Sequence, residues 1–331
     1  MRKRRNKKYE GVQRVGRHTV PFFIAFCAAM NVCSFPASAE ETSAATEQSI
    51  WVARYTFSGE NPVTEAELAD VLAAHRHTEA TLTQLEAQAE EITKYQRSKG
   101  YFVAFAYLAP QDFKDGVVDF TIVPGRYDNI VVNNTSYLHE TAIRREIGID
   151  SGELVKKSTL NRGVWLTNDL SRVEANTQIK AGSRQGTTDL VVNVKNKGHR
   201  SWGYVGVDNG GYRHTGRYQY SAFVNYASPF REGDLLSVGG VVSNGGMWSG
   251  SASYMTPIAK QGERVGISYA RSHYSLGGAF TALGYTGTAE TLSLHFQHNF
   301  KRSRDVNIYG TIRFDMKSLE DEAKSMSYNN P

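Results

Sequence analysis

The chain has little of three things. Only 2 of its 331 residues are cysteine, Cys27 and Cys33, which excludes a disulfide scaffold and any cysteine-based zinc module. No apolar run reaches the roughly 18 residues of a spanning helix, so a helical membrane bundle is excluded. A membrane β-barrel is not excluded, because its strands alternate and average out to polar. The third lack is chemistry. No Gly-x-Ser-x-Gly, Walker loop or His-Glu-x-x-His is present. Asp and Glu are scattered without a pairing that the sequence can vouch for, so no enzyme, cofactor or metal is indicated. His75 and His77 have no third ligand beside them and read as a solvated helix end. His295 and His298, three apart on an expected strand, face opposite sides and cannot form a pair.

Charge is concentrated at the start. Residues 1–39 hold eight Lys and Arg and one acidic residue, then an apolar stretch from Val20 to Phe35 interrupted by Pro21 and Asn31. Ala37-Ser38-Ala39 is a small-residue cleavage site, so residues 1–39 read as a secretory signal peptide cut before Glu40. Both cysteines lie inside it. Removing it leaves 30 basic and 32 acidic residues, a net charge of −2. The basic balance belongs to the leader, and a nucleic-acid partner loses its electrostatic support.

After a linker over 40–50 come two units of one pattern. Trp51 to Phe57 alternates and stops at Gly59. Thr64 with Glu67 makes a capping box before the stripe Leu68, Val71 and Leu72. The spacing of Leu82, Leu85, Ala89, Ile92 and Gln96 predicts a helix over 81–99, ended by Gly100. Strands are expected at Tyr101 to Leu108 and Val117 to Val123, with a turn between them. The order β-α-α-β-β then recurs: a strand over 128–133, a helix over 139–147 stopped by Gly148, and a helix over 158–173 carrying Leu166, Leu170 and Val173. A hairpin of 176–181 and 189–195 follows. Units of 75 and 72 residues, 51–125 and 126–197, form an internal repeat. Each can cover one sheet face with two helices.

Gly100-Tyr101, Ala109-Pro110-Gln111, Asp115-Gly116 and Val123-Pro124-Gly125-Arg126 resemble the first POTRA domain of two-partner secretion transporters. This outer-membrane family of the Omp85 superfamily exports haemolysins and filamentous adhesins. The second unit, taken to 198, resembles the family's second POTRA domain.

From Arg200 helical periodicity disappears and Gly and aromatic residues rise. Seven strands are expected, over 201–208, 217–226, 234–243, 247–256, 264–273, 288–300 and 305–317. In the sixth, Leu292, Leu294, Phe296 and Phe300 oppose Thr291, Ser293, His295, Gln297 and Asn299. In the seventh, Val306, Ile308, Ile312 and Phe314 oppose Asn307, Thr311, Arg313 and Asp315. This alternation fits a membrane barrel with a polar interior, and equally a soluble sheet with one wet face. The leader, the aromatics and the POTRA-like units favour the barrel. Thr291, Ser293, His295, Gln297, Arg313 and Asp315 are then candidate pore-lining residues. The turns 227–233, 257–263 and 301–304 would be periplasmic, and the longest connection, 274–287, extracellular. The stretch Asp208-Asn209-Gly210 to Tyr218, with Pro229 and Gly233-Asp234, is similar to the family's first barrel hairpin.

The expected fold is thus α+β POTRA repeats followed by an antiparallel transmembrane β-barrel over 199–331 that is incomplete in this chain. The family's barrels use about sixteen strands, and its Arg-Gly-Tyr pore-loop motif is not present, so the chain reads as the N-terminal part of a longer protein. The family's N-terminal plug helix is not expected. The resemblance implies an outer-membrane transporter with periplasmic POTRA domains. They would capture an unfolded exoprotein, with outer-membrane lipid and the barrel-assembly machinery as further partners. The strand 101–108 is the candidate client edge, with helix 82–98 as the groove wall and Tyr101, Val103, Phe105, Tyr107, Pro110 and Gln111 as contacts. For Tyr101 and Pro110-Gln111 a purely structural role stands beside this one. Rival readings are an outer-membrane protein insertase and a periplasmic binding fragment that never inserts.

Overall fold

A computed structural model describes residues 49–260 and 262–324. The signal segment, with Ala37, Ala39, Glu40 and both cysteines, lies outside the described residues.

The first unit contains β1 (Ile50–Val52), β2 (Arg54–Gly59), α1 (Glu65–Val71), β3 (Thr78–Ala80), α2 (Leu82–Ser98), β4 (Phe105–Leu108) and β5 (Val117–Val123). Its three-stranded sheet runs β2-β5-β4, with β2 parallel and β4 antiparallel to the centre. A parallel neighbour requires a crossover connection, which the two helices supply. Both helices begin in full capping boxes, Thr64 with Glu67 and Thr81 with Gln84. Strand β5 turns Val118, Phe120 and Ile122 onto Leu85, Ala89 and Ile92 of α2, all buried in one core. Burying each large side chain there contributes about 1.5–3 kcal/mol.

The second unit repeats this plan with β6 (Arg126–Asn134), α3 (Glu140–Ile147), α4 (Lys157–Asn168), β7 (Val173–Ala181) and β8 (Thr187–Asn196), ordered β6-β8-β7. Gly163 lets α4 approach α3 closely: a Cβ there would lie 2.2 Å from the Ile147 carbonyl oxygen.

Three local expectations are corrected. Trp51 to Phe57 is not one strand. The Ala53 amide donates to the Gly116 carbonyl (2.8 Å), and the chain changes partner there, from β3 to β5. Strand β3, Thr-Glu-Ala, carries no signal that sequence patterning could detect. The strand expected from Tyr101 starts only at Phe105, because residues 101–104 turn, with the Ala104 amide on the Tyr101 carbonyl (3.0 Å). Helix α4 stops at Asn168, whose side chain binds both backbone groups of Ala175. Leu170 and Val173 are buried in the core but lie beyond the helix.

The units are locked together by the residues that carry the family resemblance. Gly125, at φ +78°, sits against Val103, and Phe102 and Val103 pack on the second unit's core. The Lys157 amide donates to the Gly100 carbonyl (2.9 Å), and the Lys156 ammonium lies 5.3 Å from the Tyr101 ring centre. Arg126 reaches back to Glu60 (Nε to Oε2 2.9 Å).

The remaining strands are β9 (Ser201–Asp208), β10 (Gln219–Ala227), β11 (Leu235–Ser243), β12 (Trp248–Pro257), β13 (Arg264–Ser275), β14 (Thr286–Arg302) and β15 (Asn307–Glu322). They form one seven-stranded antiparallel meander in chain order. The last two outrun the expected bounds at both ends, except where β15 starts at Asn307, and a bulge at Asn299/Lys301 interrupts their pairing.

Candidate functional site: two strand edges, a polar sheet face and their joint

Strand β4 is an edge strand beside α2, as expected, but α2 blocks it. The Ala106 amide donates to the Thr93 hydroxyl (2.9 Å), and Arg97 Nε donates to the Ala104 carbonyl (3.3 Å). These are outward-facing backbone groups, the ones an added strand would need. Of the expected contacts, Tyr101 and Val103 belong to the joint between units. Gln111 is held by the backbone of Asp119, donating to its carbonyl (2.7 Å) and accepting from its amide (2.8 Å). Pro110 is exposed in the turn before it. Phe105 and Tyr107 project on one side of β4 with ring centres 6.1 Å apart.

The second unit holds the equivalent edge, which sequence reasoning missed. Asn168 occupies both outward groups of Ala175 on β7 (2.8 and 3.0 Å). Outward groups recur every second residue, so those of Thr177 and Ile179 point the same way. Among the described residues no side chain is bonded to them. An apolar groove of about 330 Å³ lies against these two residues, walled by Lys157, Leu160 and Asn161 of α4 and closed by Phe102. A repeat-to-repeat comparison of helix and strand could have pointed to this edge. The accident that Asn168 caps only Ala175 could not be read from sequence.

In the meander the two faces of β14 separate. Leu294 is 52% exposed and its neighbour Ser293 only 1%. Thr291, Ser293, His295 and Gln297 share the more enclosed face, and Arg313 and Asp315 of β15 join them through the register Ser293↔Asp315 and His295↔Arg313. There Arg313 donates to Ser293 (3.0 Å) and Asp315 (2.6 Å), and His295 bonds Ser268 (3.0 Å). On the other face an apolar band lies between two charged pairs, Arg271–Glu290 (3.2 Å) and Glu263–His298 (3.0 Å). Glu290 and His298 are eight residues apart on β14. At the usual strand rise and a barrel-like tilt this spans roughly 20 Å, close to the apolar band of outer-membrane barrels.

The three turns expected on one side all meet the second unit. Arg145 donates to Glu232 through its carboxylate (2.9 Å) and its carbonyl (2.8 Å). Lys260 pairs with Asp150, and Arg302 grips Asp169 with two bonds (2.6 and 2.7 Å). Asp234, fully buried, builds the first turn by accepting from the amides of Phe230 and Glu232 (both 3.1 Å). Inside this joint Glu146 of α3 is completely buried, and neither carboxylate oxygen has a hydrogen-bond partner. Burial pushes its carboxyl up to about 7, against the pull of the Arg264 and Arg145 guanidiniums. The partners here lie 87 to 133 residues apart, so no sequence spacing announces them. The 276–285 connection and the 209–218 turn meet at the opposite end, with the Gly277 amide on the His214 carbonyl (2.7 Å).

Paired α/β units docked on one end of an antiparallel sheet with apolar outside and polar inside define a class, POTRA-bearing membrane β-barrel proteins. The ShlB-type POTRA domain family matches residues 51–125, and the family of haemolysin secretion/activation proteins ShlB/FhaC/HecB matches residues 186–323. The chain is thus similar, over two separate stretches, to the secretion/activation proteins of this kind. It is 28% identical over 264 residues to the heme/hemopexin transporter protein HuxB of Haemophilus influenzae strain 86-028NP, covering 79% of this chain and 46% of that protein. It is 26% identical over 204 residues to the outer membrane transporter CdiB of Escherichia coli O6:K15:H31 strain 536, covering 60% and 34%. The solved structure of CdiB from Escherichia coli has the same fold, with a TM-score of 0.71 at 22% identity over 86% of this chain and 54% of that one. The chain thus spans about half the length of the HuxB relatives it matches.

Proposed function

We propose that the protein acts at the outer membrane in two-partner secretion. Its POTRA units capture an unfolded exoprotein in the periplasm and pass it to a barrel whose polar face lines the path. The observation that carries this is the open β7 edge beside its apolar groove, one rigid joint away from the sheet. An extended client strand would bond to Thr177 and Ile179 and place alternate side chains against α4. Phe105 and Tyr107 offer a second, aromatic contact on the first unit. Thr291, Ser293, His295, Gln297, Arg313 and Asp315 would line the conduit. Outer-membrane lipid would cover Leu292, Leu294 and Phe296, and the barrel-assembly machinery would insert the strands. No nucleotide is needed, because binding and folding of the client give direction.

Thr177→Pro tests the edge. It removes one outward N–H, a position where an edge strand tolerates proline. Capture of the exoprotein encoded alongside should fall about tenfold or more in a pull-down, consistent with losing a main-chain bond and its register. Full capture by Thr177→Pro would exclude the β7 edge, and full capture after deleting residues 51–198 would exclude the POTRA units altogether.

A further inference from the structure

A cleft of about 620 Å³ separates α4 from the base of β14. Its floor is apolar, from Leu166 and from Phe300, which is 65% exposed on the same face as Leu294. Its rim is cationic: Arg162, Lys260, Lys301 and Arg302, with Glu153 the single acidic residue of the lining. Arg302 is neutralised by Asp169 and Lys260 by Asp150, while Arg162 donates to the Asn299 carbonyl (2.8 Å). Lys301 has no carboxylate within ion-pair distance among the described residues. It sits one residue beyond Phe300, just past the Glu263–His298 pair that bounds the apolar band. An uncompensated cation at the edge of a hydrocarbon-facing surface, over an apolar floor that opens sideways, matches an amphiphile: anionic head on the rim, acyl chain on the floor.

We propose that this cleft binds an anionic phospholipid of the leaflet on the POTRA side, with its phosphate on Lys301, the neighbouring Lys260 turning a further N–H to it while still paired with Asp150, and an acyl chain along Phe300. The proposal rests on the reading that the meander lies in a membrane. Bound lipid would act as a wedge between α4 and β14, stiffening the joint beside the Arg302–Asp169 grip.

The test uses the purified protein in neutral detergent, titrated with short-chain phosphatidylglycerol, phosphatidylcholine or inorganic phosphate and read by native mass spectrometry. Phosphatidylglycerol should bind at least about tenfold more tightly than phosphatidylcholine, and Lys260→Gln/Lys301→Gln should erase that preference, since each basic group near an anionic lipid contributes about 1 kcal/mol. Both side chains are exposed, so folding is spared, and Lys301→Glu alone should give most of the loss. Equal binding of the two lipids, or a preference that survives the double substitution, overturns the proposal. Inorganic phosphate binding as tightly as phosphatidylglycerol overturns it in favour of a simple ion site. Carbonate extraction separates the two readings: a protein released from membranes defeats the membrane reading, whereas one retained without lipid preference defeats only this proposal.

Discussion

The POTRA pair and the meander use the same apolar residue types in opposite ways. In residues 49–198 the large apolar side chains turn inward: Phe120, Leu85, Ile143 and Leu190 are fully buried. In residues 201–322 they turn outward: Val205, Ile312 and Phe314 are 86%, 71% and 60% exposed. Both regions alternate with period two along their strands, so the local code is the same. The surroundings decide which face is the inside. A soluble sheet finds its apolar partner in its own helices, whereas a barrel finds it in lipid.

Substitutions at matched positions should break this symmetry. The largest effect is expected for Phe120→Ala, which removes a core ring and should cost about 3–5 kcal/mol in denaturant unfolding of the POTRA region. Phe314→Ala, equally aromatic, leaves no buried cavity, so detergent-state stability should change far less. If both cost the same, the two regions do not face different solvents. Next comes charge. Leu294→Arg should cost about 2–4 kcal/mol when folding is measured into lipid vesicles, whereas Thr291→Arg, on the polar face, should be tolerated. Equal costs would mean that neither face meets hydrocarbon.

The smallest effect concerns the joint, where the two regimes meet. Glu146 has a folded pKa raised from 4.5 to about 7. Its protonated form is the one that fits, so its contribution is full below pH ~4.5 and disappears as pH rises through ~7. Stability of the whole protein should therefore decline across that window. Glu146→Gln should flatten the decline and gain up to about 3 kcal/mol at pH 8, as measured by pH-dependent melting. A variant that keeps the wild-type slope would show that Glu146 does not set it.

Much of this was legible beforehand because it is local. The capping box at Thr64, the stripe of α2, the alternation of Val118, Phe120 and Ile122 and the two faces of β14 depend on residues within one or two turns of each other. What sequence missed depends on distance. Trp51 to Phe57 reads as one strand until Gly116, more than fifty residues away, claims Ala53. Strand β4 reads as an open edge until Thr93 and Arg97 fold over it. Leu170 and Val173 carry the spacing of a helix face and lie in the core, but the helix ends before them, where Asn168 spends its side chain on Ala175. Gly100, Tyr101, Gly125 and Arg126 carried the family resemblance, and their physical work is to fasten two units together.

Asn168 has a further consequence. By taking both backbone groups of Ala175, it puts a stop at one end of the free edge, immediately before Thr177. An added strand could not slide past that stop, and strand pairing admits shifts only in steps of two without exchanging faces. The groove would therefore act as a parity filter. It would sample every second side chain of a client against α4 and leave those between unread, so a client could vary freely at alternate positions and still be recognised.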